Sequence, residues 1–149
     1  DNFGTWVTSG DFDGDGPEDL AVGVPFEDIG AINHAGAVNV IYGGDGGLST
    51  TGNQLFHQDS TGIDGAAETG DRFGDRLAAG DYNGDGEHDL AIGAPFEDLG
   101  SVRDAGVVHV LFGSSGGLVS SNDQLWHQDS SAIAGGAEAG DKLGRTAIL

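Results

Sequence analysis

Apolar residues fall in four short runs that recur along the chain. In the second half they are Leu77-Ala78-Ala79, Asp89-Leu-Ala-Ile-Gly93, Gly106-Val-Val-His-Val-Leu-Phe112 and Gln124-Leu-Trp-His-Gln128. Each is rich in Val, Ile, Leu or aromatics and is bounded by Gly, Asp, Asn or Ser, the signature of strands between turns. Val107, His109 and Leu111 alternate with Val108, Val110 and Phe112, and both sets are mostly apolar. Such a strand is expected to be buried on both faces. No stretch carries a sustained helical stripe.

The runs belong to an internal repeat. Asp1-Asn-Phe-Gly4 recurs as Asp71-Arg-Phe-Gly74 and as Asp141-Lys-Leu-Gly144, at a period of 70. Residues 1–70 and 71–140 share 36 identical positions. The chain is therefore two units plus the first nine residues of a third, which reads as one further strand at 141–149. Four antiparallel strands per repeat is the composition of a β-propeller blade, although propeller periods are usually ~40–50 residues. The longer period leaves room for an insertion, placed at 60–70 and 130–140.

Composition narrows the field. The 149 residues include 29 glycines, no cysteine and no methionine. So much glycine disfavours helices, and its lack of a strict period of three excludes collagen. A disulfide scaffold is excluded, and no apolar run approaches the ~18 residues of a membrane helix. The absence of methionine, position 1 included, points to a mature or excised piece. The net charge is −20, from 25 acidic and 5 basic residues, which argues against a nucleic-acid partner. Either these acids are scattered in solvent, or they are grouped to hold cations.

Two segments favour grouping. Asp11-Phe-Asp-Gly-Asp-Gly-Pro-Glu-Asp19 and Asp81-Tyr-Asn-Gly-Asp-Gly-Glu-His-Asp89 share the form D-x-[DN]-x-D-G-x-x-D. Oxygen donors at alternate positions converge on one hard cation when the backbone wraps around it, and glycine at position six permits the sharp turn. The expected side-chain ligands are Asp11, Asp13, Asp15 and Asp19, with the Pro17 carbonyl. In the second loop they are Asp81, Asn83, Asp85 and Asp89, with the Glu87 carbonyl. Glu18 and His88 are expected to point outward. Calcium, which takes six to eight oxygens at ~2.3–2.6 Å, suits this set better than magnesium with its tight octahedron. Two ions per chain follow. Asn83 removes one negative charge, so the second loop is expected to bind more weakly.

Phe3-Gly4, the first acidic loop and Gly23-Val-Pro25 form one unit; Phe73-Gly74, the second loop and Gly93-Ala-Pro95 form another. In that order and spacing they resemble the FG-GAP repeat of integrin α-chain propellers and of secreted bacterial relatives. The resemblance implies an all-β fold of two four-stranded blades, with calcium in the hairpin between the first two strands of each. It further implies a secreted, extracellular, non-catalytic module for adhesion or ligand binding. The alternative is a carbohydrate-binding or accessory fragment of a secreted hydrolase. The third copy has Leu143 in place of Phe and no acidic loop after it. Two blades cannot close a ring. Three completions compete: a longer protein of which this is a piece, a small open pair that leaves much apolar surface exposed, and a homo-oligomer of three or four copies. The oligomer, giving six or eight blades, is the expected one, with a protein or glycan as a further ligand.

Other constellations read as structural. His57 and His127, beside Asp59 and Asp129, are expected to make a hydrogen bond repeated in each blade rather than bind zinc. Glu27-Asp28 and Glu97-Asp98 read as turn residues. Trp126 replaces Phe56 and reads as packing. Trp6, which stands where the second repeat has Arg76, is the aromatic available for ligand contact or a subunit seam.

Overall fold

The structure is a computed structural model, and it describes residues 1–146. It contains two four-stranded antiparallel sheets in simple sequential order. The first is β1 (Trp6–Gly10), β2 (Asp19–Val24), β3 (Ala37–Tyr42) and β4 (Ser49–Phe56). The second is β5 (Arg76–Gly80), β6 (Asp89–Ala94), β7 (Val107–Phe112) and β8 (Val119–Trp126). Each sheet is one expected blade. Register repeats as well: Trp6 pairs with Gly23 as Arg76 does with Gly93. A bulge falls between Val40 and Tyr42 and again between Val110 and Phe112. The fourth strands begin at Ser49 and Val119, earlier than their apolar runs, through residues that are mostly polar and lie on the sheet's edge. The segments at 60–70 and 130–140 are turns that follow the fourth strand. Of the strand expected from the third copy, residues 147–149 lie outside the described part.

The main core lies between the blades. Phe12, Val38, Val40 and Phe56 of the first blade meet Phe73, Leu77, Ile92 and Leu111 of the second in one buried cluster. The alternation in β3 and β7 is thereby resolved. Val38, Val40 and Tyr42 face the second blade and are buried, as are Val107, His109 and Leu111, which face back. On the outward sides Asn39, Ile41, Val108 and Phe112 are only partly covered. Burial on both faces is thus only partial within this chain, with Ala37 and Val110 buried on the outward sides and the others not, because each blade has a neighbour on one side only.

The two short motifs meet at this seam. Gly74 N–H donates to Gly93 O at 3.0 Å, as Gly4 N–H does to Gly23 O at 3.1 Å. A Cβ on Gly23 would overlap the carbonyl oxygen of Gly74, and one on Gly93 would overlap that of Gly144. Glycine is required there because backbone packs on backbone. The third copy repeats the arrangement: Leu143 bridges Gly106 in parallel, as Phe73 bridges Gly36.

Candidate metal centre

Each acidic loop joins the first two strands of its blade. Gly14 and Gly16 have φ of 70° and 106°, and Gly84 and Gly86 have 81° and 103°. This left-handed backbone, open to glycine at little cost, turns the loop around its own carboxylates. Asp11, Asp13 and Asp15 each present an oxygen within 4.8 Å of the others. Gly16 N–H donates to Asp11 Oδ2 at 3.1 Å, and Asp15 N–H to Asp13 Oδ1 at 3.2 Å. Asp11 Oδ1 is buried and has no hydrogen-bond donor. Among the described residues no lysine or arginine pairs with these three acids. A buried, unpaired carboxylate oxygen is costly unless a cation compensates it. The donor set, all oxygen and strongly negative, fits a hard divalent ion. Partial loss of water and then repulsion from Asp13 raise the pKa of Asp15.

Asp19 stands apart from the cluster. It is buried, and both of its oxygens are used: Phe12 N–H donates to Oδ2 at 2.7 Å and Gly43 N–H to Oδ1 at 2.7 Å. It ties the loop to the end of β3. Burial pushes its pKa up, with Asp13 and Asp11 adding to the rise, against the two backbone donors. Asp89 repeats the clamp, accepting from Tyr82 N–H at 2.8 Å, Asn83 N–H at 3.2 Å and Gly113 N–H at 2.9 Å. Each oxygen keeps a further lone pair, so the clamp does not exclude a ligand role.

The second loop has the same path and different chemistry. Asp81 accepts from Gly84, Asp85 and Gly86 N–H. Asn83 Oδ1 accepts from Asp85 N–H at 2.9 Å, while its Nδ2 donates to Asp85 Oδ2 at 2.8 Å. Where Asp13 has a second oxygen, Asn83 therefore has a donor, which cannot bind a cation. Glu87 N–H donates to Asp85 Oδ1 at 3.0 Å. Pro17 and Glu87 occupy position seven of their loops, and Glu18 is exposed as expected. His88 is not free: its Nδ1 accepts from Asp11 N–H at 3.0 Å, and its own N–H donates to Asp11 O at 2.8 Å. The expectation that it points outward fails, because the second loop's edge lies against the first loop across the seam.

The remaining expectations divide. Asp28 and Asp98 are turn residues, accepting from His34 and Asp104 N–H at 2.8 Å. The repeated hydrogen bond at His57 and His127 comes from their backbone N–H groups to Ser60 and Ser130 Oγ, whereas both Nδ1 atoms are buried without a partner. Asp59 and Asp129 hold the following loops through Ala67 and Ala137 N–H. Trp6 lies at the internal seam, its Nε1–H donating to Leu77 O at 2.8 Å and its ring under Arg76. Trp126 is not packed as Phe56 is: it lies on the outer side of the second blade and is 40% exposed against 6%.

Sequence reasoning missed a buried acidic group at the seam. Asp71 is buried, and its pKa is pushed up to about 7 by burial and then by Glu97, Glu68 and Asp98. Glu97, also raised chiefly by burial, accepts from Gln58 Nε2–H at 2.6 Å. The available signal was that Asp71 precedes Phe73 by two residues, on the turn that enters the seam.

The model of the FG-GAP repeat matches residues 3–41 and 73–111. Phosphatidylinositol-glycan-specific phospholipase D from Homo sapiens is 38% identical over 123 residues, 83% of this chain and 14% of that protein. Integrin alpha-3 from Cricetulus griseus is 34% identical over 139 residues, 89% of this chain and 11% of that protein. Integrin alpha-5 from Xenopus laevis is 36% identical over 131 residues, 83% and 11%. The chain thus spans a small part of these relatives' length. Both repeat matches begin at the Phe-Gly pair and run through acidic loop and GAP segment to the third strand, and the chain belongs to the FG-GAP repeat family.

Proposed function

We propose that this chain is a calcium-binding, non-catalytic β-propeller module for extracellular binding or adhesion, with one Ca²⁺ stabilising the first hairpin of each blade. The observation that carries the reading is the set of three carboxylates of Asp11, Asp13 and Asp15 within 4.8 Å. Asp19 and the Pro17 carbonyl complete the first set. Asp81, Asn83, Asp85, Asp89 and the Glu87 carbonyl form the second. Two ions would bring the charge from −20 to −16. The kinship with integrin alpha chains supports an extracellular setting and an adhesive role. No helix among the described residues is long and apolar enough to cross a membrane.

Calcium titration by calorimetry tests the reading, with Asp15→Ala and Asp85→Ala as controls. Two binding events are expected, each variant losing one. Absence of heat at millimolar calcium would sink the assignment.

One observation favours the carbohydrate-binding alternative. A cleft of about 340 Å³ beside the first loop is lined by Asp13, Tyr42, Ser49, Thr51 and Ser115, among others. It is not repeated: Phe112, Val119 and Asp45 stand at the positions equivalent to Tyr42, Ser49 and Ser115. Hydroxyls beside a cation site suit a polyol. The phospholipase relatives support the accompanying reading as an accessory part of an enzyme. A glycan array run with and without EDTA discriminates. Calcium-dependent sugar binding that Ser49→Val removes would establish the cleft, and a blank array would leave adhesion to protein ligands.

A further inference from the structure

Among the described residues the exposed large apolar ones are Phe3, Val7, Leu48, Leu55, Tyr82, Trp126, Ile133 and Leu143. Each has a counterpart 70 residues away that is covered. Phe3 is 64% exposed and Phe73 fully buried; Val7 is 53% exposed and Leu77 2%. Leu48 answers to buried Leu118, and Leu55 to partly buried Leu125. Tyr82, Trp126 and Ile133 answer to buried Phe12, Phe56 and Ile63. The first four lie on the first blade's outer side, at positions that the second blade turns toward the seam. Tyr82, Trp126 and Ile133 lie on the second blade's outer side, at positions that the first blade turns toward the seam. The uncovered surface is therefore the two halves of the internal seam, one at each end of the pair. Such a concentration of apolar residues marks an interaction surface.

We propose that these two faces bind each other between copies, so that the chain associates head to tail and closes a ring with three or four copies. The occupant is a second copy because the internal seam already shows the two halves fitting, with nearly the same residues. Trp126 and Ile133 of one copy take the roles of Phe56 and Ile63, against Val7, Leu48 and Leu55 of the next. Some polar seam contacts carry over as well, whereas the bond of Leu118 N–H to the Tyr42 hydroxyl does not, since Phe112 stands at the equivalent position. Gln128 and Glu27 are the equivalents of the Gln58–Glu97 pair. Thr50 and Ser131 are those of the Ser120–Thr61 pair, and Thr50 keeps the donating hydroxyl. The interface is heterologous, which closes a ring when the rotation permits.

One slot has two claimants. Gly140, Lys142 and Leu143 N–H already bond the carbonyls of Arg103, Asp104 and Ala105, as Gly70, Arg72 and Phe73 do those of Asn33, His34 and Ala35. Leu143 to Arg145 thus hold the place that Phe3 to Thr5 of the joining copy would take, Arg145 N–H bonding Lys142 O as Thr5 N–H bonds Asn2 O, and residues 1–5 of that copy move aside.

The charge of −20 on each copy opposes association, so moderate salt should strengthen it by screening. The test is mass in solution, by sedimentation and light scattering in calcium. Wild type is expected at three or four times the monomer mass. Val7→Asp breaks the leading face and Ile133→Asp the trailing one; each alone should be monomeric with an unchanged circular dichroism spectrum. Mixed, they retain one intact seam between them and should form a 1:1 pair and nothing larger. Should either variant fail to fold, Leu48→Asp and Trp126→Asp address the same two faces. A wild type that stays monomeric at every concentration overturns the proposal, and the faces then await blades of a longer polypeptide. A mixture that stays monomeric while wild type associates overturns it too.

Discussion

Leu77 and Val7 occupy the same place in their blades, and one is buried while the other is half in water. The same holds for the acidic loops. Asp11 and Asp13 are partly buried by the second blade, whereas Asp81 and Asn83 are exposed. Strand pairing is nearly identical in the two blades. Topology is thus written within a repeat, whereas burial depends on what stands next to it.

The largest test of this contrast is truncation at the paired positions. Leu77→Ala should cost about 2–5 kcal/mol, and Val7→Ala should stay within about 0.5 kcal/mol in the monomer, read from denaturant midpoints. Equal effects would break the comparison. Next is calcium. An ion that binds only the folded loop adds ~2.7 kcal/mol per site at a hundredfold excess over Kd. EDTA should therefore lower Tm markedly, and an unchanged melting curve would leave the loops without a stabilising role.

The third test uses Asp71, whose equivalent Asp1 is exposed. Its pKa rises on folding from 3.8 to about 7, so the native state holds a proton that the unfolded chain releases. Stability from this group is complete below pH ~4 and falls as pH rises toward 7. In EDTA, Asp71→Asn should flatten that slope and add roughly 1–3 kcal/mol at neutral pH. It keeps an acceptor for Glu68 N–H, which now bonds Asp71 Oδ2 at 2.5 Å. The smallest effect is Asn83→Asp. Replacing the Nδ2 donor by an oxygen should tighten the second site up to about tenfold, or ~1.4 kcal/mol, measured by calorimetry.

Much of this was legible in the residues. Period, strand count and loop pattern follow from local chemistry: alternating apolar runs, turn glycines, oxygen donors at every second position. The side-chain roles that depend on the neighbouring blade were not. His88 looked free because nothing near it in sequence bonds its ring; Asp11 N–H reaches it from 77 residues away. Trp126 looked like core because Phe56 does, yet the blade that would cover it is not in the chain. Asp19 and Asp89 read as ligands from spacing, and their second task, clamping the loop to the end of the third strand, rests on Gly43 and Gly113 at a separation of 24 residues.

The contact of Gly23 with Gly74 carries a last consequence. At Gly23 the two blades meet backbone to backbone, the carbonyl oxygen of Gly74 standing where a Cβ would be, so this joint admits no side chain. A neighbouring blade that carries the same two motifs therefore meets the same backbone surface, whatever its loops hold. The Phe-Gly and GAP segments act in this sense as a gauge common to every joint, which lets a gene lengthen or shorten such an array by whole units.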